Sequence, residues 1–204
     1  MTKVPNRATF ENAYAGIAPW DIDRPQPPFA AAADQVTSPV LDAGCGTGET
    51  ALFFAARGHR VTGIDFLEEP IRRARAKATQ RGLAVEFLVK DAMTLADWDE
   101  RFATVIDSGL FHVFADDARG RYVQGLAHVL EPGGRLFLMC FSAEEPGTEG
   151  PRRVSRQELH DAFAGGWEVE SVQPARIEIN PEFTAFKFSE GGPKAWFAII
   201  RRKG

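Results

Sequence analysis

Apolar residues recur along this chain in short, nearly unbroken runs, at residues 40–45, 60–65, 84–91, 104–109 and 134–142. Rich in Val, Ile, Leu and Phe, these runs read as strands buried on both faces, because a half-exposed strand would alternate. Helical patterns fill the gaps. Residues 48–57 follow a glycine turn and Gly58 is placed to end that helix, while 67–81 carry Ile71, Ala74 and Ala78 at helical spacing with basic residues outward. Residues 116–130 open on Asp116 and Asp117, suited to the positive end of a helix, and stop before Pro132-Gly133-Gly134. A helix at 155–164 begins with Ser155 and has Glu158 three residues on, the spacing of a capping box. Two final runs, 167–179 and 194–202, are expected to pair antiparallel. Regular strand–helix alternation predicts an α/β protein with a doubly wound, Rossmann-like, mostly parallel sheet and right-handed crossovers. Residues 1–35 stand outside the alternation and are expected to cap the sheet's ligand edge.

Composition narrows the class. With 204 residues and no internal linker, the chain fits one domain, 1–204. A net charge of -4 with no basic tail or stripe argues against nucleic acid as a partner. The longest apolar runs, such as Leu136–Phe141, are too short to cross a bilayer, and no signal-peptide core opens the chain. Cys45 and Cys140 form no CxxC pair and read as reduced thiols in a cytoplasmic protein. No metal-ligand cluster stands out.

The chemistry gathers where strands end. Val40-Leu41-Asp42-Ala43-Gly44-Cys45-Gly46-Thr47-Gly48 is an apolar strand running into a glycine-dense turn, and Val61-Thr62-Gly63-Ile64-Asp65 is a second strand ending in an acid. Such a turn lets backbone approach a ligand, and such an acid accepts ribose hydroxyls. A dinucleotide site needs its third glycine at position 49, where Glu49 would set a carboxylate against a diphosphate. The phosphate reading is therefore the weaker one.

The Asp-x-Gly-x-Gly-x-Gly spacing resembles motif I of the class I S-adenosylmethionine methyltransferases. The resemblance implies a seven-stranded sheet with a reversed C-terminal strand, S-adenosylmethionine as cofactor and S-adenosylhomocysteine as product. It also implies roles for individual residues. Asp42, Gly44, Cys45, Gly46, Thr47 and Gly48 would cradle the methionine part, Asp42 facing its amino group, while Asp65 takes the ribose and Phe66 lies against adenine. Lys90-Asp91-Ala92-Met93 resembles the adenine clamp of the family, giving Asp91, Ala92 and Met93 to the cofactor. At the fourth strand, Asp107, Ser108 and His112 are the groups able to handle a proton, and His112 is the candidate base. The arm Pro19-Trp20-Asp21-Ile22-Asp23-Arg24-Pro25 resembles the thiopurine methyltransferase-like branch, placing Trp20 and Asp21 near the cofactor; Asp23 stands where that branch is expected to have glycine. With Asp107-Ser108-Gly109-Leu110-Phe111-His112 and Gly150-Pro151-Arg152-Arg153, the chain is similar to the mycobacterial heterocyclic toxin methyltransferases. That implies a small aromatic or heterocyclic substrate such as a hydroxyquinolone or phenol, methylated on O or N. Phe10, Tyr14, Phe111, His112, Phe141, Arg152 and Arg153 would line its site, with an arginine steadying an anionic acceptor.

Two other readings stay open at this level: methylation of thiols, thiopurines, halide or tellurite, and a non-catalytic S-adenosylmethionine-binding module. Membrane and nucleic acid are not expected partners, and the chain is expected to be a monomer or homodimer.

Overall fold

The computed structural model describes residues 5–204. In chain order the elements are α1 (Arg7–Ala15), α2 (Pro27–Ala31), β1 (Val40–Ala43), α3 (Glu49–Ala55), β2 (Val61–Asp65), α4 (Glu68–Arg81), β3 (Glu86–Val89), β4 (Phe102–Ser108), α5 (Asp116–Val129), β5 (Leu130–Phe141), α6 (Arg156–Ala162), β6 (Trp167–Arg176) and β7 (Lys194–Arg202). Seven strands make one sheet in the order β3-β2-β1-β4-β5-β7-β6. Strands β1 to β5 pair in parallel, and β7 runs antiparallel to both β5 and β6, so the reversed strand is the C-terminal one.

Neighbouring residues of one strand feed different layers. Val40, Ile106, Phe137 and Met139 pack with Leu52 and Phe54 of α3 and Ile71 and Ala74 of α4. Leu41, Val105, Leu136 and Leu138 pack instead with Tyr122, Leu126 and Val129 of α5 and Leu159 of α6. Both faces bury apolar side chains, which is why the strands read as unbroken apolar runs.

Three expectations shift. The run 84–91 contracts to Glu86–Val89, because β3 is an edge strand with one unpaired side, and Val89 is exposed. Strand β5 starts at Leu130 and takes in Pro132-Gly133-Gly134, which sit where its pairing with β4 slips register between Phe102 and Thr104. A bulge tolerates proline, whose missing N–H is not needed for the ladder there. Of the segment 1–35, expected as a cap, residues 5–35 divide between two places. Helix α1 lies against the glycine turn, whereas α2, begun by Pro27, sets Phe29 on Phe197 beneath the sheet at 5.3 Å. Residues 1–4 of that segment lie outside the described residues. The box at Ser155 and Glu158 forms as expected. Among the described residues no helix is long and apolar enough to cross a membrane.

Candidate functional site

Strand β1 lies between β2 and β4, and the chain leaves it toward opposite halves of the sheet. A crevice opens beyond the carboxyl ends of strands at such a switch point. The turn 44–48 stands there with Gly44, Gly46 and Gly48 all at positive φ. At Gly46 a Cβ would meet the Tyr14 hydroxyl at 2.7 Å, and at Gly48 it would meet the Phe87 ring at 2.7 Å, so both need glycine for space as well as for backbone.

Asp65 ties the turn to the next loop. Its carboxylate accepts the N–H of Gly46 at 3.2 Å and that of Leu67 at 3.0 Å. A carboxylate has about four acceptor positions, so room for two hydroxyl donors remains. Asp42 is fully buried at the end of β1, and its Oδ2 has no partner. Burial pushes its carboxyl up to about 7, against the pull of the Ala51 backbone N–H. An orphaned, buried carboxylate oxygen beside a glycine cradle fits an ammonium donor, which is what the amino acid end of S-adenosylmethionine would bring.

The arm supports the turn from outside. Trp20 Nε1 donates to the Tyr14 hydroxyl at 3.0 Å, Asp21 accepts from Thr47 Oγ1 at 2.7 Å, and Lys77 Nζ reaches Thr47 at 3.0 Å. Phe10 packs on Phe66 and Trp20. Phe10 and Tyr14, expected at the substrate, thus sit together with Trp20 and Phe66 beside the glycine turn. Cys45 turns its Sγ toward Gly63 beneath the loop. Glu49 does not aim at the turn's mouth, because Arg81 and Lys77 of α4 hold its carboxylate at 2.8 Å. At the end of β3, Asp91 caps the following turn by accepting the Met93 N–H at 2.9 Å, with Ala92 buried between them.

On the acceptor side several expectations fail for tertiary reasons. Asp107 is fully buried and accepts from Leu110 N–H, Phe111 N–H and Tyr122 O–H at 2.7, 3.2 and 2.9 Å. It fixes the loop after β4 and has no face toward a cofactor or a proton in transit; burial lifts its carboxyl to about 6 despite those donors. Phe111 is likewise core, stacked on Phe163 at 5.7 Å under the Arg119 guanidinium. Arg152 is taken by Asp116 and Glu158. Arg153 donates to the carbonyls of Glu145, Pro146, Gly147, Glu149 and Pro151, knitting one loop while lying over the Phe141 ring. Neither arginine is free to grip an anion directly.

Ser108, His112 and Phe141 remain at the edge. The Phe141 N–H donates to His112 Nδ1 at 3.1 Å, and the two rings meet edge-on at 5.3 Å. Burial, helped by Arg119 and Arg153, lowers the imidazole to about 3, so it is neutral at physiological pH. With Nδ1 accepting, the proton sits on Nε2, and His112 presents a hydrogen-bond donor where a base was expected. Sequence reasoning missed Tyr122, the partner of Asp107, and Asn180, whose side chain holds the Asp21 carbonyl at 2.7 Å. Neither carries a local signal. Two surface hollows of about 240 and 270 Å³ lie elsewhere, beside the Pro132–Arg135 turn and between α2 and β6.

Comparison with known proteins matches this geometry. A family model described as a methyltransferase domain matches residues 40–134. Over 95 % of the chain and 89 % of the relative, it is 37 % identical to a 2-heptyl-1-hydroxyquinolin-4(1H)-one methyltransferase of Mycobacteroides abscessus. A solved structure described for the conversion of a disulfide bond into a thioacetal group during echinomycin biosynthesis aligns with TM-score 0.83 and 35 % identity, over 100 % of this chain and 93 % of that one. The 1,6-didemethyltoxoflavin-N1-methyltransferase of Burkholderia thailandensis, solved with S-adenosylhomocysteine, aligns at 0.75 and 25 % identity over 97 % and 87 %. The turn, the acid at the end of β2, the reversed strand and these likenesses agree: the chain belongs to the class I S-adenosylmethionine-dependent methyltransferases.

Proposed function

We propose that the chain methylates an oxygen or nitrogen of a small planar heterocycle of the hydroxyquinolone kind, as its mycobacterial relative is named for doing. The observation that carries this is the His112 imidazole, neutral and Nε2-protonated behind the Phe141 N–H bond, in an aromatic setting. A site that offers a donor and apolar walls, with Asp107 saturated, suits an acceptor acidic enough to arrive as its anion.

S-adenosylmethionine supplies an electrophilic methyl group on a sulfonium centre. In this reading Asp42 pairs with its amino group, the 44–48 backbone holds its methionine part, Asp65 takes the ribose, and Phe66 with Asp91, Ala92 and Met93 flank adenine. Trp20 and Asp21 brace the turn. His112 Nε2–H donates to the acceptor and Phe141 excludes water, so that the reacting atoms line up; alignment of this kind is worth roughly 7–11 kcal/mol. The net charge of -4 supports a small-molecule acceptor over nucleic acid, and the enzyme is proposed to work in the cytoplasm as a monomer or homodimer.

A methyl-transfer screen with labelled S-adenosylmethionine tests this, over hydroxyquinolones, phenols, thiols, thiopurines and iodide. Transfer to the heterocycle is expected. Transfer confined to thiols or iodide would replace the reading with sulfur or halide methylation.

A further inference from the structure

A line of aromatic rings leads outward from His112. Phe141 lies edge-on to the imidazole, Phe188 follows 5.7 Å from Phe141, Phe186 6.3 Å from Phe188, and Phe183 5.5 Å from Phe186. Exposure rises from 6 % at Phe141 through a half-buried Phe188 to 44 % at Phe186, and Phe183 at the end is half-buried again. Phe183, Phe186 and Phe188 sit in the connection between β6 and β7, and none of the four rings belongs to the packed clusters of the core. Phe141 is buried, Phe183 and Phe188 are half-buried against their neighbours in the line, and Phe186 is exposed.

The connection is nonetheless fixed. Glu145 accepts the N–H groups of Ser189 and Lys194 at 2.9 and 2.8 Å. At its other end Asn180 donates its backbone N–H to the Pro19 carbonyl at 2.8 Å and its side-chain amide to the Asp21 carbonyl at 2.7 Å. Gln26 exchanges two hydrogen bonds with the Glu178 backbone. Of the four exposed large apolar side chains among the described residues, Ile17, Trp20, Val89 and Phe186, all but Val89 stand on the two segments that Asn180 joins. Exposed apolar rings held in place at the mouth of a site are a recognition surface.

We propose that this ring line is the subsite for an apolar tail on the methyl acceptor. The heteroatom of the head group lies at His112, and a linear alkyl substituent passes the edge of Phe141 and runs along Phe188 to Phe186 and Phe183. The substrate class is then an amphipathic heterocycle with an alkyl tail, and the inference rests on the proposed function above. The named acceptor of the mycobacterial relative carries a heptyl group, in keeping with a tail of this kind.

The test is a series of 2-alkyl-1-hydroxyquinolin-4-ones, from methyl to nonyl, assayed with the full chain and with Phe186→Ala, Phe188→Ala and Phe186→Leu. Each methylene laid on an apolar wall is worth up to about fourfold in affinity. Wild-type kcat/KM is expected to rise about two- to fourfold per methylene, through KM. The alanine variants should lower the heptyl acceptor at least tenfold more than the methyl one, and Phe186→Leu should restore most of that ratio. Chain-length independence in the wild type, or equal losses on both acceptors, overturns the subsite. The same series is titrated by calorimetry with S-adenosylhomocysteine present, so that no turnover is needed. Absent methyl transfer with chain-length-dependent binding would overturn the hydroxyquinolone reading and uphold the tail subsite; binding without that dependence would overturn the subsite.

Discussion

The backbone N–H of Phe141 donates to Nδ1 of His112 across 3.1 Å, and this bond decides what the histidine can do. For Nε2 to act as a base the proton would have to move to Nδ1, where it would face another N–H. Burial with two nearby arginines, which drives the imidazole down to about 3, points the same way. We therefore expect kcat/KM from pH 5.5 to 8 to follow the ionisation of the acceptor. Two acceptors of different acidity should shift the inflection by their own pKa difference. His112→Ala should cost roughly ten- to a hundredfold at every pH alike, the worth of a hydrogen bond to a charged group. A limb near pH 6.5 that vanishes in His112→Ala would restore the general base.

Asp42 links cofactor binding to pH. Its carboxyl, raised to about 7 by burial, keeps its proton in the ligand-free protein at pH 6. An ammonium partner demands the carboxylate, so binding must expel that proton. Affinity for S-adenosylhomocysteine should thus climb as pH rises toward 7, by up to about tenfold per unit, and level off above. Calorimetry at pH 6 in two buffers of different ionisation enthalpy should show close to one proton released, and Asp42→Asn should abolish the release. For the ligand-free fold the sign is the reverse. A raised carboxyl contributes stability below the unfolded value near 4, and that contribution is lost as pH rises through 7.

The contrast between these residues shows what a sequence can carry. The placement of Asp42, Gly46 and Asp65 was legible because it follows from position, at strand ends and within one turn. The same holds for the doubly wound sheet, whose runs are unbroken because Leu41 and Val40 serve opposite layers. Asp107, Phe111, Arg152 and Arg153 read as site residues by proximity in sequence, yet each is consumed by a partner far along the chain or by its own loop. Tyr122 satisfies Asp107, Phe163 covers Phe111, Glu158 takes Arg152, and a ring of carbonyls takes Arg153. Asn180 and Phe188 were invisible for the converse reason. They lie in an irregular connection, where no periodicity marks them.

The Asp107–Tyr122 bond gives a test of that reassignment. Tyr122→Phe leaves a buried carboxyl short of one donor at 2.9 Å while keeping the ring that fills the core. A loss of about 1–3 kcal/mol in denaturant unfolding is expected, from the unsatisfied group. The kcat at a temperature where the variant is folded should stay within about threefold of wild type, because one acceptor bond is lost and the Leu110 and Phe111 amides still hold the loop. A fall in kcat of a hundredfold without loss of stability would return Asp107 to the reaction.

Asp23 sits at φ +56° in the arm, the one non-glycine residue at positive φ among the described residues. The expectation of glycine at this position thus has a physical basis, since a side chain in the left-handed region crowds its own backbone. Aspartate tolerates the region better than most residues, and its exposed pair with Lys77 at 3.3 Å offsets little of the strain. Asp23→Gly removes crowding worth about 1–2 kcal/mol but gives the unfolded chain freedom that costs about 0.4–1 kcal/mol, so a net gain of roughly 0.5 kcal/mol is expected. Asp23→Val, branched at Cβ, should lose about 1–2 kcal/mol instead. Thermal unfolding of the three proteins side by side separates the cases, with melting temperatures ordered glycine, aspartate, valine. Equal melting of the glycine and valine variants would mean that the arm relaxes freely at this residue and that Thr47, Lys77 and Asn180 do not hold it against the turn.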